Sequence, residues 1–346
     1  MQPAQNILLI RLKSIGDILF TLPAVNRVRA AYPQAKLTFL VSRENAPLLE
    51  GFRDVDSVIA LDRAQFRGLN PKAIAQETCS LWRRLRGAKF ALALDLHGYG
   101  ETALMTWCTG APLRWGTVYR PGRRWAYTLG VRRDPAAHPA EGHLAMLDAC
   151  GLPPVPVRNE FALPPTPADL ARRFWAEAGL DPARPTIFIQ PFTSTTDKDW
   201  PLEGYLAVAR HWRDRGAQVL FGGGPADRSA LEPARQAGFP VSAGVELLVT
   251  GGLMKASSVV LGGDTGALHL AVAMGKRVVM VMGSTGPGSC YPFRHRDWAV
   301  VPPGGRPVSS IETGVINEAC SRALAETGWD ADLRNRKSAA QNLETN

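Results

Sequence analysis

Cysteine is sparse and shows no pairing pattern. Cys79, Cys108, Cys150, Cys290 and Cys320 are scattered, odd in number, and none stands in a CxxC pair. That argues against a disulfide framework and a structural zinc site, and suits a reducing compartment. Long apolar runs are also missing. No stretch approaches the roughly 20 apolar residues that a membrane-crossing helix needs. Ile7, Leu8, Leu9 and Ile10 make too short a run for the core of a secretory signal. A cytoplasmic protein is expected. The P-loop pattern GxxxxGK[ST] is absent, and GxGxxG does not follow the first strand-like run. Without that fingerprint, an NAD-dependent Rossmann enzyme is the weaker alternative. Acidic residues are the minority charge: 31 Asp and Glu against 40 Lys and Arg give a formal net charge of +9. The surplus favours anionic partners. No helix-turn-helix, zinc-finger or RNP signature accompanies it, so nucleic acid is not expected among them.

The 346 residues are 45% hydrophobic and 21% charged, ordinary for a folded protein and long enough for two domains. Short apolar runs alternate with longer amphipathic ones. Strands are predicted at 7–11, 36–41, 57–61 and 90–96, with helices over 17–32, 71–87 and 141–150. A proline-rich stretch comes next, with Pro153, Pro154, Pro156, Pro164, Pro165 and Pro167. Proline breaks both helices and central strands, so this is the best boundary in the chain. Beyond it comes a helix over 167–179, and the alternation then restarts. Strands are read at 186–190, 217–221, 257–261 and 277–282, with helices at 202–215, 227–237, 246–256, 266–274 and 311–326. The reading is an α/β protein of two doubly wound parallel sheets. Its domains span 1–165 and 166–330, with a polar tail at 331–346 and the last helix free to pack back on the N-terminal domain. Ligands of such sheets bind at the carboxyl ends of strands.

Four segments at strand ends carry chemistry. Arg11-Leu12-Lys13-Ser14-Ile15-Gly16-Asp17 joins the first strand to the first helix. Asp17 either caps that helix or serves as a general base beside Lys13. Gly262-Gly263-Asp264-Thr265-Gly266-Ala267-Leu268-His269 puts glycines and helix-start amides where a diphosphate could rest. Asp264 or Thr265 could equally be plain caps, and His269 a core histidine. The segment 190–201 offers hydroxyls and Lys198 to phosphate oxygens, or is an ordinary surface loop. Finally, Gly222-Gly223-Gly224 leads to Asp227, either a ribose acceptor or a helix-start carboxylate.

Taken together and in order, these segments resemble glycosyltransferase family 9, the ADP-heptose:lipopolysaccharide heptosyltransferases. The residues carrying the resemblance are 11–17 with Thr21-Leu22-Pro23, 95–98, 193–201, and 264–269 with Ala271; the helix over 311–324 also fits. The resemblance implies a GT-B fold: two Rossmann-like domains facing a central cleft, acceptor on the N-terminal one and nucleotide-sugar donor on the C-terminal one. It implies inverting, metal-independent transfer of a heptose or related sugar from an ADP-sugar to a hydroxyl of a lipopolysaccharide-type, lipid-linked acceptor. A related transferase using a different nucleotide sugar is the alternative. By position, Asp17 matches the catalytic base and Lys198 the lysine on the donor diphosphate. Thr193 and Ser194 match a hydroxyl pair. Asp264, Thr265, Gly266 and His269 match the diphosphate segment, Asp227 a ribose carboxylate, and His97 a residue on the acceptor side. Lys13 is counted with the donor-binding residues.

No cofactor is expected beyond the nucleotide-sugar substrate. Asp54-Val55-Asp56, Asp197-Lys198-Asp199 and Asp330-Ala331-Asp332 are DxD strings, but none is expected to bind a metal. Between Arg114 and Arg133 stand six arginines and no acidic residue, interleaved with Trp115, Tyr119, Trp125 and Tyr127. Arginine forks suit phosphates and carboxylates, and aromatics suit a sugar face or an interface. This segment, with Arg120, Arg123 and Arg124, is expected to grip the anionic acceptor or touch the inner face of the membrane beside it. His143 is expected to pack or cap a helix.

Overall fold

The computed structural model describes residues 5–63 and 70–329. The tail at 331–346 and the third DxD string lie outside the described residues. The chain divides into two compact units, 1–162 and 163–346.

In the first unit, six parallel strands are β1 (Asn6–Ile10), β2 (Lys36–Ser42), β3 (Ser57–Leu61), β4 (Leu92–Asp95), β5 (Leu113–Val118) and β6 (Leu129–Arg132). They lie in the order β3-β2-β1-β4-β5-β6. Leu8 and Ile10 join one core with Leu40, Leu81 and Leu85, while Ile7 and Leu9 are equally buried on the opposite face. Both faces are covered, which is why β1 reads as a continuous apolar run rather than an alternating one. Flanking helices are α1 (Ile15–Leu19), α2 (Leu22–Ala31), α3 (Pro71–Gly87), α4 (Gly100–Cys108) and α5 (Pro139–Ala149). The single helix expected over 17–32 is broken at Phe20 and Thr21, where the Thr21 hydroxyl donates back to the Ile18 carbonyl at 2.6 Å. Buried Arg27 ties α2 to α5 through the Leu144 carbonyl and Asp148.

The second unit repeats the topology. Its helices and strands are α6 (Pro165–Glu177), β7 (Thr186–Gln190), α7 (Leu202–Asp214), β8 (Gln218–Gly223), α8 (Glu232–Gln236), β9 (Val241–Ala243), α9 (Leu247–Ala256), β10 (Val259–Gly263), α10 (Gly266–Ala273), β11 (Val278–Val281), β12 (Ala299–Val300) and α11 (Thr313–Ala325). The strand order is β12-β11-β10-β7-β8-β9, all parallel. Successive residues of a strand point to opposite faces. Ile187, Ile189, Val259 and Leu261 therefore enter one core with α7 and α11, while Phe188, Val260 and Met280 enter another with α6, α9 and α10. On α11, Ile316, Ala319, Cys320, Ala323 and Leu324 fall at helical spacing and fill the first of these cores. The last helix thus packs within its own unit.

Each sheet reverses its strand order once, between β1 and β4 and between β7 and β10. Loops leaving two neighbouring strands in opposite directions open a crevice at such a point, and ligands of doubly wound sheets settle there.

Candidate active site

In the first unit, the residues after β1 and β4 meet at the switch point. Arg11 is almost buried and forms an ion pair with Asp17 at 2.8 Å. Its other nitrogens hold the Lys13 carbonyl at 2.9 Å and the Leu96 carbonyl at 2.8 Å. Asp17 also accepts from the Ser14 amide at 3.1 Å and the Ser14 hydroxyl at 2.9 Å. The capping reading of Asp17 therefore holds, and it coexists with a partly exposed carboxylate at the strand end. Burial acts to raise the Asp17 pKa, but the Arg11 charge and the Ser14 bonds outweigh it and hold the carboxyl below its ordinary value. Lys13 is exposed.

Asp95 ends β4, fully buried. It accepts the amides of His97 and Gly98 at 2.9 and 2.8 Å and the Tyr127 hydroxyl at 2.7 Å. Burial nevertheless raises its pKa against these bonds. His97 is buried too. Its Nδ1 accepts the Leu12 amide at 3.2 Å, which leaves the proton on Nε2. Burial first, then the Arg11 charge, lowers its pKa to about 3, so the ring is neutral at working pH. Tyr99 lies against it with ring centroids 4.5 Å apart. The segment 114–133 is built as β5, a 3-10 turn at Pro121–Ala126 and the edge strand β6. Arg123 donates to the Gly98 carbonyl at 2.9 Å, while Arg120 and Arg124 are exposed. His143 is buried on α5 and its Nε2 has no hydrogen-bond partner among the described residues. The capping role falls to His138, whose Nδ1 accepts the Ala140 amide.

In the second unit, β7 and β10 pair in register, with Gly262 opposite Gln190. A Cβ at Gly262 would lie 2.3 Å from the Gln190 carbonyl oxygen, and one at Gly263 would lie 2.4 Å from Thr193 Cγ2. The glycines let the two strand-end loops touch. Lys198 Nζ reaches Asp264 Oδ2 at 2.9 Å, and His269 Nε2 lies 3.2 Å from Asp264 Oδ1. Burial works to raise the Asp264 pKa, but His269 and Lys198 outweigh it and keep the carboxylate ionised. The same bond raises Lys198, whose side chain stays half exposed and cationic. Thr265 stands at the N-cap position of α10 without a side-chain cap bond and Gly266 is the first helical residue, so the helix starts beside this triad with its amides. Thr193 is fixed by its amide to Asp199 at 2.8 Å and its hydroxyl to the Thr195 carbonyl at 2.9 Å; Ser194 is exposed. Asp227, at the end of neighbouring β8, accepts the Gly224 amide at 2.7 Å. Buried Trp200 donates to the Ile311 carbonyl at 2.9 Å and anchors the lysine loop from behind.

The second cluster presents a cation, a helix start and hydroxyls at one strand-end crevice, which is an anion-binding arrangement. The first presents a carboxylate and a neutral imidazole. The sequence pattern by itself gives Arg11 no role and does not single out Tyr99. The signal for Arg11 is its place directly after an apolar strand. Among the described residues, no three His, Cys, Asp or Glu side chains are grouped to hold a metal ion.

The pattern of glycosyltransferase family 9 (heptosyltransferase) matches residues 78–305. The chain belongs to that family. It is 23% identical over 307 residues to the lipopolysaccharide core heptosyltransferase OpsX of Haemophilus influenzae, covering 85% of this chain and 83% of that one. Among solved structures, a family 9 glycosyltransferase from Veillonella parvula superposes with a TM-score of 0.84 at 19% identity, covering 93% of this chain and 98% of that one. The Escherichia coli ADP-heptose lps heptosyltransferase II gives 0.77 at 22%, covering 94% and 100%. These likenesses identify the fold as GT-B, built on two Rossmann-like sheets. No helix among the described residues is long and apolar enough to cross a membrane.

Proposed function

We propose that this family 9 member moves a heptose or a related sugar from an ADP-sugar to a hydroxyl of an anionic, lipopolysaccharide-type, lipid-linked acceptor, with inversion at the anomeric carbon. The observation that carries the donor half is the Lys198–Asp264–His269 triad at the start of α10. The names of the relatives, lipopolysaccharide heptosyltransferases and an ADP-heptose enzyme, support the choice of sugar and base.

In this reading, the acceptor hydroxyl attacks the anomeric carbon opposite the leaving diphosphate. Asp17 takes the hydroxyl proton as the new C–O bond forms. A carboxylate held below its ordinary pKa is a weak base. It takes the proton late, once the oxocarbenium-like carbon has made the attacking oxygen acidic. The old C–O bond breaks toward the diphosphate, where negative charge grows. Lys198 and the amides at Thr265 and Gly266 stabilise that charge, with Thr193, Ser194 and Lys13 as further donors. Asp264 and His269 position the lysine, and Asp227 takes the ribose hydroxyls. These groups are proposed to act without a metal ion. His97, Arg120, Arg123 and Arg124 receive the acceptor, and the protein works at the cytoplasmic face of a membrane.

Thermal melts with ADP, UDP, GDP and NAD test the donor half, because a ligand of the folded state alone raises stability by mass action. ADP is expected to raise the melting temperature of the native protein and not of Lys198→Ala. A rise with NAD alone would overturn the reading.

A further inference from the structure

Helix α4 is turned the wrong way round for a surface helix. It buries small side chains, Thr102, Ala103 and Thr106, and exposes large apolar ones. Leu104 is 50% and Trp107 52% exposed, one helical turn apart on the outer face. A surface helix ordinarily does the opposite, because large apolar side chains gain most from leaving water. Trp107 does not stand alone. Trp125, on the Pro121–Ala126 turn and 57% exposed, meets it edge to face with centroids 5.9 Å apart. Two half-exposed indoles held against each other form an apolar patch of a kind that marks an interaction surface.

The charge beside Trp125 is positive. Arg120 and Arg124 are exposed on the same turn as Trp125, and no acidic residue occurs from 114 to 133. On α4 the single acid, Glu101, is paired with Arg63 at 3.2 Å. The face continues into the first unit's cluster: Arg123 holds the Gly98 carbonyl and lies 6.0 Å from the Tyr99 ring, which packs on His97. Indole rings favour the boundary between apolar and wet layers, and arginines beside them favour anionic headgroups.

We propose that the outer face of α4 and the adjoining Pro121–Ala126 turn form a docking surface for an anionic bilayer, with Trp107 and Trp125 seated among the headgroups and Arg120 and Arg124 on their phosphates. The proposal deepens the reading of this protein as an enzyme of lipid-linked acceptors. It is tested without acceptor or donor, so it can fail while the transfer reading stands, and the reverse.

The test is co-sedimentation of the full chain with vesicles of phosphatidylglycerol and phosphatidylethanolamine, against vesicles of phosphatidylcholine alone. The native protein is expected to bind the anionic vesicles and to be released by high salt. Arg120→Gln with Arg124→Gln is expected to weaken binding about fivefold per arginine, roughly thirtyfold for the pair. Trp107→Ser with Trp125→Ser is expected to weaken it by roughly tenfold or more from the apolar area left in water. Melting temperatures serve as the folding control, and the native salt titration stands whatever the variants do. Equal binding to neutral vesicles, or no binding by the native protein, overturns the proposal. So does full binding by the folded tryptophan variant, or a native dimer that the tryptophan variant splits, since a second copy would then own this face.

Discussion

Asp17→Asn separates the structural role of this side chain, paired with Arg11 and bonded to Ser14, from its proposed role as the base. The substitution keeps the shape and removes the charge. Its cost in stability is set by the surroundings. Breaking a fully buried ion pair costs about 3–5 kcal/mol, and an exposed pair is worth about 0–1. Arg11 is 9% exposed and Asp17 34%, so the pair sits between these limits. Arg11 keeps its bonds to the Lys13 and Leu96 carbonyls, which spares it full isolation. A loss of about 1–2 kcal/mol is the result, measured by denaturant unfolding. The loss depends on pH. The folded carboxyl lies below its ordinary value of 3.8, so the pair's contribution is complete above that value and fades as pH falls through the lower folded pKa. With Asp17 proposed as the base, catalysis is expected to suffer more: loss of a general base costs roughly 10²–10⁴-fold in turnover. With ADP release monitored by a coupled assay, kcat is expected to fall in that range while the donor dissociation constant stays within about twofold. A kcat within tenfold of native in a folded Asp17→Asn protein would refute the assignment of the base.

Lys198→Ala removes the lysine cation from the second unit's Lys198–Asp264–His269 triad. It is expected to weaken ADP binding and lower turnover by roughly 10²–10³-fold, with little change in stability because the Lys198–Asp264 pair is half exposed; unchanged ADP affinity by calorimetry would count against it. Gly262→Ala and Gly263→Ala should part company. The first drives a Cβ against the rigid Gln190 carbonyl and should cost about 1–3 kcal/mol in unfolding experiments. The second pushes on the movable Thr193 side chain and should raise the donor KM instead. Tyr127→Phe takes a hydrogen bond from the buried Asp95 carboxylate and should cost about 1.5–3 kcal/mol, read by denaturant unfolding. A loss of only about 0.5–1.5 kcal/mol would mean that a neutral Asp95 accepts this bond.

Both switch-point loops could be read from the sequence because glycine and polar residues succeed apolar runs at the ends of β1, β7, β8 and β10. Such runs mark strands buried on both faces, and the residues directly after them lie at the carboxyl end. Three features could not be read. The break between α1 and α2 leaves the apolar spacing of Ile18, Leu22 and Val25 intact, so periodicity carries no trace of it. Helix α4 and strands β5 and β6 are obscured because large apolar side chains such as Leu104, Trp107, Leu113 and Leu129 face outward, so the usual apolar spacing does not mark the buried face. Asp17 was legible as a cap or a base, but its pairing with Arg11 depends on the path of residues 11–14 between β1 and α1, which local pattern does not encode. Asp227 is bonded to Gly224 as a helix-start carboxylate would be, so its ribose role rests on position alone.

Transfer itself is tested most directly by mass spectrometry of a lipid-linked saccharide acceptor incubated with ADP-heptose and the native protein, with the new linkage read by NMR. The acceptor is expected to gain one heptosyl unit for each ADP released, in the anomeric configuration opposite to the donor's, and Asp17→Asn and Lys198→Ala are expected to form little product. Product of retained configuration, or none with ADP-heptose while another nucleotide sugar is turned over, would contradict the proposed reaction.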